Sequence, residues 1–217
     1  MRKANRIWAA CFAALLLVLL PGCGQQEDPV PEIRSPEGIS CLEYSSYSGP
    51  FPEDGSYREV SGVAAIRVRN DSDAYLEFAR IRCAIGSGEG SFVVSGLPPG
   101  TEAWVLEESG MTLKPSDLFR ATGYEQLTFN PDAVVSDHQI EAKYEDGKVT
   151  VTNHSDETRE ALTIYYKSVH TDGRWFGGIT YRLSCGTLQP GASVSLQAGH
   201  FSGNSKIVRC SWEGGSG

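Results

Sequence analysis

The sequence is poor in basic side chains: Lys and Arg number 19 against 27 Asp and Glu, for a formal charge of −8. A nucleic-acid partner, whose phosphates require clustered positive charge, is therefore excluded. Several signatures of catalysis or metal binding are also missing. No His-Glu-x-x-His, Gly-x-Ser-x-Gly, Gly-Lys-Ser/Thr phosphate loop or dinucleotide fingerprint occurs. Without a Cys-x-x-Cys pair a four-thiolate zinc site is disfavoured, and His138, His154, His170 and His200 show no ligand spacing. "GSGEGS", Gly86 to Ser91, has glycines but neither a lysine nor a helix after it, and reads as a hairpin tip. No carboxylate pair stands out for acid–base work. Nothing points to a cofactor or to an enzyme.

Long apolar runs are scarce as well. The longest, Ile7 to Leu20, has about 14 residues, short of the roughly 20 a spanning helix needs. Arg2, Lys3 and Arg6 precede it, and Gly22 and Cys23 follow, which is the layout of an export signal. An uncleaved anchor helix is disfavoured by that length and by Pro21.

The ending "LPGC" resembles the lipobox of bacterial lipoproteins through Leu20, Gly22 and Cys23, with Pro21 departing from the usual Ala, Ser, Thr or Val. That resemblance implies that residues 1–22 are a lipoprotein signal peptide. Cys23 would then carry a diacylglycerol and tether the chain to the cell membrane on its extracytoplasmic side. At about 0.8 kcal/mol per buried methylene, two or three acyl chains hold firmly. Losing three basic residues with the signal takes the charge from −8 to −11, so the lipid rather than the protein surface must hold the membrane. Residues 23–38, with Pro29, Pro31 and Pro36, read as a Pro-rich tether. Residues 213–217, "EGGSG", read as a flexible tail.

Between these ends the pattern alternates with period two. "VAAIRVRN" carries Ala64, Ile66 and Val68 on one face, and "KVTVTN" carries Val149 and Val151. No segment shows a clean helical period with caps; the nearest approach is "KPSDLFRATGYEQL", Lys114 to Leu127, where a short helix could form. Two landmarks recur in the same order. "VRNDSDAYLEFARIRC" aligns with "VTNHSDETREALTIYY", and "LPPGTEAWVLE" with "LQPGASVSLQA". Asn-x-Ser-Asp is turn chemistry, and Pro-Gly presets a tight turn. From Asn70 to Leu97 the landmarks lie 27 apart, and from Asn153 to Leu188 they lie 35 apart. The eight added residues fall around "HTDGRWFGG", His170 to Gly178.

These patterns predict an all-β chain with two tandem small antiparallel β-sandwich domains, at 39–131 and 134–212. "VTVTNHSDETREALTIYYK" with "GTLQPGASVSL" resembles the FxLYD-type and related immunoglobulin-like domains of bacterial envelope lipoproteins, although the Phe-x-Leu-Tyr-Asp string itself is absent. The resemblance implies binding or assembly rather than catalysis.

Besides Cys11 in the signal and Cys23, four cysteines remain, two per expected domain. In an exported chain this predicts the disulfides Cys41–Cys83 and Cys185–Cys210, with buried free thiols as the alternative. Arg174, Trp175 and Phe176, set among Gly173, Gly177 and Gly178, form a candidate binding loop that could stack on a glycan or an envelope protein. The alternative is a hairpin whose aromatics fold back over the core. "YSSYSGPFPEDGSY", Tyr44 to Tyr57, reads as a second aromatic loop. The expected function is a lipid-anchored binding or assembly module of the cell envelope. Its rivals are a sugar or peptide hydrolase, a solute-binding subunit and a structural spacer.

Overall fold

In a computed structural model, residues 33–34, 38–133, 135 and 138–214 are described. The signal peptide, Cys23 and nearly all of the tether lie outside these residues, as does the end of the tail. Every regular element among the described residues is a strand. In chain order these are β1 (Ile33–Arg34), β2 (Ile39–Phe51), β3 (Arg58–Asn70), β4 (Tyr75–Ile85), β5 (Gly88–Leu97), β6 (Glu102–Leu106) and β7 (Phe119–Asn130). They continue as β8 (Ile140–Glu145), β9 (Lys148–Asn153), β10 (Arg159–Ser168), β11 (Trp175–Phe176), β12 (Tyr181–Leu188), β13 (Ser193–Gln197) and β14 (Ser205–Glu213).

Four sheets result, with strand orders β1-β2-β3-β6-β11, β5-β4-β7, β12-β10-β14 and β13-β9-β8. The first two close on a core that includes Ile66, Val68, Leu76, Ile81, Phe92 and Val105. The last two close on Val149, Val151, Leu162, Ile164, Leu188 and Phe201. The chain is thus an all-β sandwich fold, as alternating burial on each strand requires.

The repeated Asn-x-Ser turn is built from the same bonds twice. Asn70 donates through Nδ2 to the carbonyls of Ala74 (2.8 Å) and Leu97 (2.9 Å), and Asn153 does so to Glu157 (2.8 Å) and Leu188 (3.0 Å). Each Asn Oδ1 accepts the backbone N–H two residues on, from Ser72 or Ser155, at 3.0 Å. The Pro-Gly landmark closes the same unit: Gly100 N–H donates to Asn70 O and Gly191 N–H to Asn153 O, both at 2.8 Å. Both asparagines are fully buried. Each one satisfies carbonyls that would otherwise be stranded, which explains why two distant landmarks recur together. "GSGEGS" forms a hairpin, with Gly86 and Ser87 turning between Ile85 and Gly88.

Three expectations need correction. The helix over Lys114–Leu127 does not form. Lys114 and Asp117 make a reciprocal turn, and Phe119 then starts β7, buried against Phe92 and stacked on Tyr44 at 4.9 Å. Pairing with β4 outweighs local propensity there. Tyr44–Tyr57 is largely strand rather than loop, since β2 runs to Phe51 and only residues 52–57 turn.

The expected disulfides are also absent: no S–S bond joins Cys41, Cys83, Cys185 and Cys210, all of which are buried. Cys185 and Cys210 sit on β12 and β14 with β10 between them, so two strand spacings part them by about 10 Å. A disulfide tolerates no more than about 7 Å between Cα atoms. Cys41 and Cys83 enter the first core from opposing sheets and pack as small hydrophobes. Burial pushes the Cys41 and Cys185 thiols up to about 11, each partly offset by a backbone hydrogen bond, and raises Cys83 further. Such thiols are poor nucleophiles.

Candidate functional site

The eight-residue excess in the second copy leaves its own sheets and joins the first copy's. Val169 bridges to Trp175 across a tight turn in which His170 N–H donates to Arg174 O at 2.7 Å. Strand β11 then pairs parallel to β6, placing Trp175 opposite Ala103 and Phe176 opposite Trp104. Trp175 packs half-buried on the N-terminal core, while Phe176 is buried with Phe51, Val63, Ala65 and Leu106 on the other face of the same sheet. Arg174 is ion-paired to Glu102 (Nε–Oε2 3.1 Å) and to Asp172 (2.5 Å). The candidate triplet therefore clasps the two halves of the molecule together. Asp172 completes the clasp by accepting Trp104 Nε1–H at 2.9 Å. Partial burial would raise its pKa, but bonds from Trp104, the Arg174 backbone, His170 and the Arg174 guanidinium prevail and hold it well below the usual range.

Behind the clasp lies a buried pair that sequence reasoning missed. Lys167 has no exposed surface, and its Nζ donates to Gly177 O (3.0 Å), Ile179 O (2.9 Å) and Thr180 Oγ1 (3.0 Å). Glu53, from the turn after β2, accepts the Leu106 N–H at 3.0 Å. Desolvation pushes Glu53 up and Lys167 down, and their mutual attraction opposes both shifts. Gly178 is obligatory here, because a methyl group on it would lie 1.1 Å from Glu53 Oε2. The one available signal was a lysine inside the apolar run "LTIYYKSV".

This arrangement brings the two aromatic stretches face to face across a cleft of about 530 Å³. Tyr47 and Tyr57 from the N-terminal half meet His170, Phe176, His200 and Phe201 from the C-terminal half. Tyr47 abuts Phe176 edge-on at 5.7 Å. His200 stacks on Tyr181 at 4.6 Å and on Tyr57 at 6.4 Å, and Phe201 lies against Tyr166 at 4.7 Å. The Tyr57 and Ser168 hydroxyls join the halves at 2.5 Å. Tyr57 has φ of 54°, a left-handed conformation that costs a bulky residue free energy and is typical of positions held for a purpose. Its neighbours hold it there: Tyr57 N–H donates to Phe51 O at 3.1 Å, and Asp54 accepts Ser56 N–H at 2.9 Å.

Among the described residues, no group of three or more His, Cys, Asp or Glu could hold a metal ion. Comparison of the chain with protein families and with curated proteins returns no match.

Proposed function

We propose that this chain is a lipid-anchored, extracytoplasmic binding module of the bacterial cell envelope. In this reading residues 39–131 and 134–212 are two tandem immunoglobulin-like domains, Cys23 carries the lipid, and the ligand seats in the aromatic cleft between the domains. The observation that carries it is the cleft itself, a concave aromatic site of the size small ligands use, lined from both halves of the molecule beside the clasp. The equal Asn70 and Asn153 turns support the two-domain reading, and "LPGC" supports the anchor.

Two experiments test it. Palmitate labelling of cells should mark the wild-type chain and not Cys23→Ala, and equal labelling would refute the anchor. The Cys23→Ser chain, made without its signal, should sediment with envelope fractions, and Tyr57→Ala or His200→Ala should weaken this. If untreated envelope captures nothing, or captures the cleft variants equally well, the binding reading is wrong.

A further inference from the structure

We infer that the cleft takes a neutral saccharide chain. This inference rests on the binding reading above and names its ligand class. The chain has 19 basic and 27 acidic side chains, yet none of the residues lining the cleft is Lys, Arg, Asp or Glu. A phosphate, a sulfate or an acidic polymer entering it would lose hydration and meet no lysine or arginine, only the imidazoles of His170 and His200. A strongly anionic ligand is therefore disfavoured.

The walls supply two kinds of contact. His200 and Tyr144 are exposed and are backed by other rings, His200 by Tyr181 and Tyr57 and Tyr144 by Phe201, which hold them in place. A backed ring is a rigid platform that costs little conformational entropy on binding. The lining also carries short polar groups, the hydroxyls of Ser48, Thr171 and Ser202 and the amide of Asn204. A purely apolar ligand such as an acyl chain would cut Thr171 and Asn204 off from water and offer them no hydrogen bond in return. A pyranose has a C–H face to lay on a ring and hydroxyls around its rim for short donors and acceptors. The two wall chemistries match those two surfaces. About 530 Å³ lies within the range of roughly 300–1,000 Å³ usual for small-ligand sites.

The test uses the Cys23→Ser chain and envelope fractions treated in two ways. Periodate, which cleaves vicinal diols, should abolish binding, and exhaustive protease should leave it intact. Titration with cello-oligosaccharides and with dextran, both rich in vicinal diols, should give binding to at least one, unaffected by raised salt, with none to polygalacturonate. His200→Ala should weaken binding about tenfold, the value of one aromatic stack, while His200→Phe retains it. Because His200 is exposed, circular dichroism should be unchanged in both variants. Loss of binding on protease treatment alone identifies a peptide ligand and overturns the inference, as does binding that weakens with salt or prefers polygalacturonate. In those outcomes the binding module stands. If untreated envelope fails to bind at all, the module reading falls with its ligand.

Discussion

Strand β3 buries four consecutive residues, Val63 to Ile66, whereas its counterpart β9 buries only alternate ones, Val149, Val151 and Asn153. Both end in the same asparagine turn, and both are the central strand of the three that correspond in the two copies: β2-β3-β6 and β8-β9-β13. The difference lies in what covers the outer face. Over β9 that face is open, and threonine–serine pairs line it, Thr150 with Ser195 (2.9 Å) and Thr152 with Ser193 (2.8 Å). On β3 that face is covered by Phe51 and by Phe176, which β11 brings to the edge of the same sheet, so Val63 and Ala65 need apolar side chains as much as Ala64 and Ile66 do. One repeated scaffold thus becomes two different surfaces because one copy's longer connection reaches across to the other.

The comparison breaks most sharply at the buried pair. Lys167→Met leaves Glu53 desolvated without its opposing charge and should cost about 3–5 kcal/mol in urea unfolding. Glu53→Gln in the same chain should recover much of that loss. Failure of the double variant to recover any would show that the lysine acts only through the carbonyls it meets.

Next comes Trp175→Ala, which removes a half-buried aromatic from β11. Losing roughly 100 Å² of burial or somewhat more should cost about 3 kcal/mol, below the cost for a wholly buried indole. A loss under about 1 kcal/mol would mean that the clasp opens in solution and that the triplet is free to bind.

Asn70→Ala and Asn153→Ala sharpen the likeness of the copies. Each strands two carbonyls and should cost about 2 kcal/mol. Equal costs are expected because the bonds are equal, so values differing by more than about 1 kcal/mol would show that the turns carry unequal loads.

The smallest effect concerns acid. Asp172 is held below its ordinary value of 3.8 by the groups of the clasp. A carboxylate depressed in the folded state contributes stability above that unfolded value, and the contribution fades as pH falls through the folded value. Asp172→Asn should therefore lower stability by less than about 1 kcal/mol at neutral pH, since its partner Arg174 is partly exposed, and by nothing in strong acid. A loss unchanged between neutral and strongly acidic solution would indicate lost packing instead.

The legible parts of the fold were those encoded locally. Alternation disclosed strands, and Asn-x-Ser and Pro-Gly disclosed turns, because each rests on bonds made within a few residues. The spacing of 27 against 35 even located the segment that matters. It could not say where that segment goes. Trp175 and Phe176 looked equally suited to recognition or to a core, and the structure uses them for docking on β6, an acceptor more than 70 residues earlier. Phe119 misled in the same way, since a helix-like stretch became a strand once β4 was there to pair with it.

Sequence alone thus determined the strands, the repeated turns and an aromatic content in two separated stretches, since these are read from side-chain period, local hydrogen bonding and composition. Tertiary structure alone decided three things: that the stretches face each other, that Lys167 and Glu53 share a buried site, and that Cys185 and Cys210 lie a strand apart. Each of these depends on which strands become neighbours. That choice is made by burying surface between residues far apart in the chain, and no local pattern records it.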